Sequence, residues 1–483
     1  MTFQIKRPLL AASVAAAIVA PATGFATNGM NLEGYGPIAT GMGGASMAYD
    51  NGVAAVMNNP ATLGLMEDGE GRFDVAIGSL DPDITSSATG APDAPSTAGP
   101  FYMPAIGYAT KNGALTYGVG MSAQGGMGTE YGANSFLTLG SSGAVPSTLL
   151  GGASIDALGG VRSEVGVGRL VAPIVYNVDK NFSVGGSIDY VWAGMDLKMA
   201  MSSAQINTLA GGGFVSGSLA GSLPAFFTGL GGDAARFDFS NDNDFTGEAT
   251  GDGFAGKIGF TFKVNKNLTV GATYHSETSL GDLETSNASM TVFNDTNFTT
   301  PAAFDGFENA TLLEGDVVIK DFQWPSTLGV GISYAEDKWM VAADVKQINW
   351  SDVMAGFTME FKPHDITGNP LGTNGGNLIM TLPQNWDDQT VIQVGGAYKV
   401  SSDTTLRAGI NSASNPVPDA TVNPLFPATI ETHYTLGVGY AVSKNSGVDF
   451  SLTIAPEVSV DGDSGVTTTH SQTNWQFMYS QKF

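Results

Sequence analysis

Along much of this chain, apolar residues recur at every second position. In Phe182, Val184, Gly186, Ile188, Tyr190 and Trp192 the even positions are apolar or small, while Ser183, Gly185, Ser187 and Asp189 between them are small or polar. The same alternation runs through Leu328, Val330, Ile332 and Tyr334, and through Tyr434, Leu436, Val438, Tyr440 and Val442. A period of two gives a strand one apolar and one small or polar face. Repeated many times, it predicts strands with lipid on one side and an aqueous or filled lumen on the other.

The connections between these runs alternate in length. Short polar turns fall at Lys111-Asn112-Gly113, Asp179-Lys180-Asn181, Asn265-Lys266-Asn267, Glu336-Asp337-Lys338, Ser401-Ser402-Asp403 and Lys444-Asn445-Ser446. Long connections lie near 81–100, 124–160, 202–251, 279–315, 351–388, 412–431 and 458–471. Six turns and seven loops imply fourteen strands, an even number with both ends on the periplasmic side. That number takes Asp316 to Tyr334 as one strand interrupted at Pro325, although a proline removes a ladder donor and can equally separate two strands. The last strand alternates Trp475, Phe477 and Tyr479 with Asn474, Gln476 and Ser480, and ends on Phe483. A soluble sandwich also has alternating strands, but not strict short and long alternation of its connections. The expected fold is therefore all-β, a 14-stranded antiparallel transmembrane β-barrel.

Composition narrows the class. Sixty-five glycines, no cysteine and 13% charged residues in 483 suit many closely packed strands and turns. A formal charge of −25 argues against nucleic acid, whose phosphates demand Lys and Arg, and suits solvated loops. Without cysteine there is no disulfide framework or thiolate metal site. Lys6-Arg7, an apolar run from Leu9 to Ala20, and small residues in Gly24-Phe25-Ala26 read as a signal peptide over 1–26, cleaved after Ala26. That run is too short to span a bilayer as a helix.

Between this leader and the strands lies Thr27 to Met66, rich in Gly, Ala, Asn and Met and nearly uncharged. It reads either as a flexible Gly/Ala-rich N-terminus or as a segment folded back where side chains leave little room, such as a barrel interior. Its ending, Asn58-Asn59-Pro60-Ala61 with Leu63 and Leu65, resembles the Asn-Pro-Ala signature of the FadL/TodX family of outer-membrane channels for hydrophobic compounds. Trp324-Pro325-Ser326, the Asp344 to Trp350 run, Trp386-Asp387-Asp388-Gln389, Leu406-Arg407-Ala408-Gly409 and Asn415-Pro416-Val417-Pro418-Asp419-Ala420 resemble the family in order and spacing. His275 departs from it, standing where members usually carry Arg, which puts a lumen charge contact in doubt. The resemblance implies a hatch over 27–66 that plugs the lumen of a barrel over 67–483. The C-terminal aromatic resembles the signal read by the barrel-assembly machinery.

Candidate chemistry is sparse. His275, His364, His433 and His470 are scattered, without ligand spacing, so no catalytic residue, cofactor or metal is expected. Gly41-Met42-Gly43-Gly44 lacks the βαβ context of a dinucleotide fingerprint. Asp238, Asp242, Asp244 and Glu248 miss the spacing of a calcium loop and read as a solvated face. Apolar residues in long loops are more telling, because exposed apolar patches mark partners. Phe136, Leu137, Leu139, Leu149, Leu150 and Leu158 lie in one such loop, and Phe214, Leu219, Phe226, Phe227 and Leu230 in the next. They pack against each other as a lid, or, as the resemblance implies, form a capture groove for a hydrophobic substrate.

The function expected is passive uptake of hydrophobic molecules, long-chain fatty acids or aromatic hydrocarbons, past lipopolysaccharide. Loop capture and lumen binding would precede a hatch shift at Asn59, Pro60 and Ala61 and sideways release at a strand kink. The candidate kink is Ser122 to Gly128, where Gly125 and Gly126 disturb regular pairing. Ala55, Ala61 and Gly64 are expected to lie against that strand. The rival readings are a general diffusion porin and a structural or adhesive surface barrel.

Overall fold

The computed structural model describes residues 28–132, 135–139, 160–222, 232–241, 247–294, 310–364 and 375–483. Its strands form one antiparallel sheet that closes on itself. Pairing runs from β1 (Gly71–Ala88) to β2 (Phe101–Asn112), β3 (Leu115–Tyr131) and β4 (Val161–Asn177). It continues through Phe182–Ser202, Ala249–Lys263, Leu268–His275, Thr327–Ala335 and Trp339–Ile348. Gln389–Lys399, Thr404–Ala413, Thr432–Ala441, Ser446–Asp461 and Val466–Lys482 follow, and the last pairs back onto β1 from Arg72↔Lys482 to Ala88↔Val466. Closure removes the unpaired edges that an open sheet would present.

The alternation read from the sequence decides which way each strand faces. Ile188, Leu328, Val330, Tyr434, Leu436 and Tyr440 point outward and are exposed, while Asp189, Ser333, Thr435 and Asn474 point inward and are buried. An outer surface of Val, Ile, Leu, Phe and Tyr over a polar interior is what a bilayer-spanning barrel needs. The short polar turns fall between consecutive paired strands, as at 113–114 and 178–181.

The expectation of fourteen strands is corrected for the sheet as a whole: fourteen strands close the ring, but among the described residues the sheet has 22. Connections read as loops carry strands themselves: Gly232–Asp238, Leu283–Asn294, Ala310–Lys320, Gly356–Pro363 and Leu378–Pro383 pair into an extension of the wall on the long-loop side. Asp316 to Tyr334 is two strands. Ala310–Lys320 joins the extension, Thr327–Ala335 joins the ring, and Pro325 lies between them. The leader over 1–26 lies outside the described residues, as do Leu149, Leu150, Leu158, Phe226, Phe227, Leu230, Asp242 and Asp244.

Residues 28–66 lie within the ring and are almost wholly buried. Strands on every side hold them. Asp344 accepts from the Ser46 and Met47 amides at 2.6 and 3.1 Å, Thr435 Oγ1 from Gly43 N at 3.0 Å, and Asp74 from Val53 N at 2.7 Å. Gln393 donates to the Glu33 carbonyl at 2.7 Å, and Lys111 to the Gly64 and Met66 carbonyls at 2.7 and 2.9 Å. Backbone can approach the wall this closely because the facing positions lack side chains. A Cβ on Gly271 would overlap the Met47 carbonyl, and one on Gly409 would overlap Gly43.

Candidate functional site in the lumen

The wall has a notch. β2 pairs with β3 only from Asn112↔Leu115 to Ala105↔Ser122, so the β3 edge beyond Ser122 has no β2 partner. On the other side, the β3–β4 register shifts between Ala123 and Gly125, leaving Gln124 as the extra residue of a bulge. The N-terminal segment occupies the free edge: Gly126 N donates to the Met30 carbonyl at 3.0 Å, Leu32 N to the Gln124 carbonyl at 3.5 Å, and Asn31 bridges Gly125. Beyond it, Thr97 N donates to the Glu130 carbonyl at 2.8 Å and rejoins the wall. Gly125 is required there, since any side chain would overlap the Met30 carbonyl.

The kink expected over Ser122 to Gly128 is therefore present, but its neighbour differs from the one anticipated. Ala61 and Gly64 do not lie against Gly125 and Gly126. Ala61 abuts Gly185, and Gly64 abuts Ser183 and Asn177, on strands farther round the ring. Asn59 caps the turn Pro60–Leu65 by accepting from Ala61 N at 3.1 Å, while its amide donates to the Met47 and Phe260 carbonyls at 2.8 and 3.1 Å. Pro60 occupies the first helical position, where its missing N–H costs nothing. Asn59-Pro60-Ala61 is thus an anchor between segment and wall. Met30-Asn31-Leu32, which holds the edge instead, carries no motif that would mark it in the sequence. The glycines at 125 and 126 were the only signal pointing there.

Three small cavities lie along the segment, apart from a wider opening at the short-turn mouth bordered by Ile38, Asp50 and Arg72. An outer one of about 40 Å³ is lined by Met30, Met195, Phe322, Met354, Phe357 and Phe426. A central one of about 30 Å³ touches Asn28, Asn58, Gln124, His275 and Lys346. An inner one of about 50 Å³ lies between Val53, Val56 and Met57 of the segment and Ala76, Met103 and Met121 of the wall. Leu32, Tyr35 and Met57 border both of the last two. Over them sits a buried tryptophan cluster, Trp324–Trp350–Trp386, with ring centroids 5.6 and 5.3 Å apart in edge-to-face contact. Trp324 Nε1 donates to Asn31 Oδ1 at 2.8 Å, tying the cluster to the notch.

Several charges inside the lumen are paired. Asp189 holds both Arg169, at 2.9 Å, and Lys257. At the short-turn mouth, Arg72 of β1 grips Asp50 of the segment at 2.7 and 2.9 Å and Glu70 at 2.7 Å. Burial alone would raise the Asp50 carboxyl, but the charge and hydrogen bonds of Arg72 outweigh it and hold the group below its ordinary value. His275 bonds the Asn58 carbonyl at 2.8 Å, and His364, on the outer extension, bonds Asp316 at 2.8 Å. His433 and His470 are buried, and His470 contacts the Pro427 carbonyl at 3.0 Å.

Of the expected loop residues, Phe136 and Leu137 are buried in the apolar cluster that includes Met195 and Leu197. Leu139 ends the same short turn, and its side chain lies outside the described atoms. Phe214 is 40% exposed, and its carbonyl accepts from Thr381 at 2.8 Å.

A closed antiparallel barrel with an apolar outer belt, a polar inner face and a lumen filled by its own N-terminal segment has the build of a bacterial outer-membrane protein. The chain belongs to the outer membrane protein transport protein family (OMPP1/FadL/TodX), whose model matches residues 13–482. Among solved structures, the toluene transporter TodX of P. putida is 31% identical with a TM-score of 0.78, the match covering 94% of this chain and 99% of that one. The toluene transporter TbuX of Ralstonia pickettii is 32% identical with a TM-score of 0.71, over 94% and 99%. The monoaromatic hydrocarbon channel CymD is 26% identical with a TM-score of 0.68, over the same shares. A curated relative from Chlorobium limicola, an uncharacterized protein encoded 5′ of a phosphoenolpyruvate carboxykinase gene, is 45% identical over 89 residues. That match spans 18% of this chain and 44% of the relative.

Proposed function

We propose that this protein is a passive outer-membrane route for hydrophobic small molecules, with monoaromatic hydrocarbons such as toluene as its first candidates. The string of cavities along the N-terminal segment, ending beside the notch in β3, carries this reading. A hydrophobic solute gains nothing from an open aqueous pore and is hindered by lipopolysaccharide at the outer leaflet. Apolar loop residues, Leu139, Leu149, Leu150, Phe214, Phe226 and Phe227 among them, gather it, over a base that includes the buried Phe136 and Leu137. Methionine-lined cavities, which adapt to irregular solutes, pass it inward. Residues 27–66 act as a hatch: when Met30–Leu32 leave the β3 edge, the solute slips sideways into the bilayer. Asn59, Pro60 and Ala61 hold the hatch's other end while Gly125 and Gly126 open. The leader over 1–26 is removed during export, and the barrel-assembly machinery inserts the chain. No cofactor, metal or energy source takes part.

Relatives that are 31 and 32% identical over nearly their whole length, and that are toluene transporters, support the choice of solute. The test uses whole cells, where lipopolysaccharide supplies the barrier. Cells expressing the protein should take up labelled toluene several-fold faster than cells lacking it, with no gain for a disaccharide of greater polarity. Equal acceleration of both solutes would make it a general diffusion porin. No acceleration of either would leave a structural or adhesive role.

A further inference from the structure

We infer that the central cavity is a polar subsite that selects a neutral hydroxyl-bearing aromatic, an aromatic alcohol or phenol, over the plain hydrocarbon and over a carboxylate. This deepens the proposed uptake of aromatic solutes and rests on it. Three residues lining this cavity, Asn28, Asn58 and Gln124, are at least nine-tenths buried, and each has a side-chain oxygen with no hydrogen-bond partner. Lys346 lines the same cavity and brings an ammonium to it. The Asp344 carboxylate that attracts it spends one oxygen on the Ser46 and Met47 amides.

Buried polar atoms without partners are costly and uncommon, and here they converge on one space. Amide oxygens accept and an ammonium donates, so the group that satisfies both is one that also donates and accepts: a hydroxyl. A hydrocarbon leaves the three oxygens unpaired. A carboxylate would meet Lys346 but would face three electron-rich oxygens with no proton to offer them. The space, about 30 Å³, has room for a hydroxyl or a water and not for a ring. The ring belongs next door. The inner cavity shares Leu32, Tyr35 and Met57 with the polar one and is otherwise lined mainly by apolar side chains and glycines, with Asp74, Ser122 and Gln476 among them and Met103 and Met121 able to shift.

Calorimetric titration of the folded, detergent-solubilised protein with benzyl alcohol, toluene and benzoate, each corrected for detergent alone, tests this. The wild type should bind benzyl alcohol at least about tenfold more tightly than toluene or benzoate, a difference of about 1.4 kcal/mol. Lys346→Met should erase the preference and leave toluene binding intact, and Gln124→Leu should weaken the alcohol in the same way. Equal wild-type affinity for alcohol and toluene overturns the inference. So does benzoate binding most tightly, or Lys346→Met weakening all three alike. The wild-type comparison stands even if a variant fails to fold. Toluene failing both to bind and to enter cells overturns the hydrocarbon reading itself, which separates the two failures.

Discussion

At Gly125 one absent side chain decides how two parts of the molecule meet. The Met30 carbonyl occupies the volume a Cβ would take, so Gly125→Val should drive Met30–Leu32 off the β3 edge. The cost expected for overpacking a fitted contact is about 1–3 kcal/mol, read as a lower melting temperature with the barrel still heat-modifiable. Asp50 offers a second test. Its carboxyl sits below its ordinary value because Arg72 outweighs burial, so the pair stabilises the segment above the ordinary carboxylate range and loses that contribution as acid titrates the group. Protection factors of residues 48–54, with the intrinsic pH dependence of amide exchange removed, should stay high from pH 8 to pH 5 and fall below about pH 4. In Asp50→Asn protection should be lower throughout and flat across that range. Neither contact was legible in the sequence, because both join residues remote from each other and leave no local pattern. Legible instead were the residues themselves, glycines at 125 and 126 and a nearly uncharged segment over 27–66, whose composition fits close packing without naming the neighbour.

Individual strands were the easiest elements to anticipate. Alternation such as Tyr434 to Val442 reports burial on one face only, and the short polar turns fall between paired strands. The long connections were misread because strands such as Gly232–Asp238 and Leu378–Pro383 are short and pair within the extension rather than in the ring. Pro325 separates two strands that go to different parts of the sheet. The bulge was legible because consecutive glycines favour it, and it invites a deletion. Removing Gln124 should restore an unbroken β3–β4 register, close the free edge, and reduce toluene uptake several-fold with folded yield preserved. Normal uptake in the deletion variant would mean the bulge has no part in the route. The role of Ala61 changes with its location: fully buried against Gly185, it is a packing residue. Ala61→Trp should unseat the segment and lower folded yield, which heat-modifiability on gels will register.

For the whole molecule, closure and filling are linked. β1 and Val466–Lys482 close the ring, and Phe483 extends this seam by exchanging backbone hydrogen bonds with Gly71 at 2.8 and 3.3 Å. Its ring faces outward, 67% exposed. Deleting Phe483 should lower the amount of folded barrel in the outer membrane while leaving the folded fraction active. Lateral release is tested most directly by tying the segment to the notch. The chain has no cysteine, and Asn31 and Gln124 contact each other through their side chains at 3.5 Å. In Asn31→Cys/Gln124→Cys, a short cleavable bis-thiosulfonate should join the two. Lateral release predicts that toluene uptake by cells falls to the level of cells lacking the protein when the link is formed and recovers when a reductant cleaves it. Uptake that is unchanged by a complete link would contradict it.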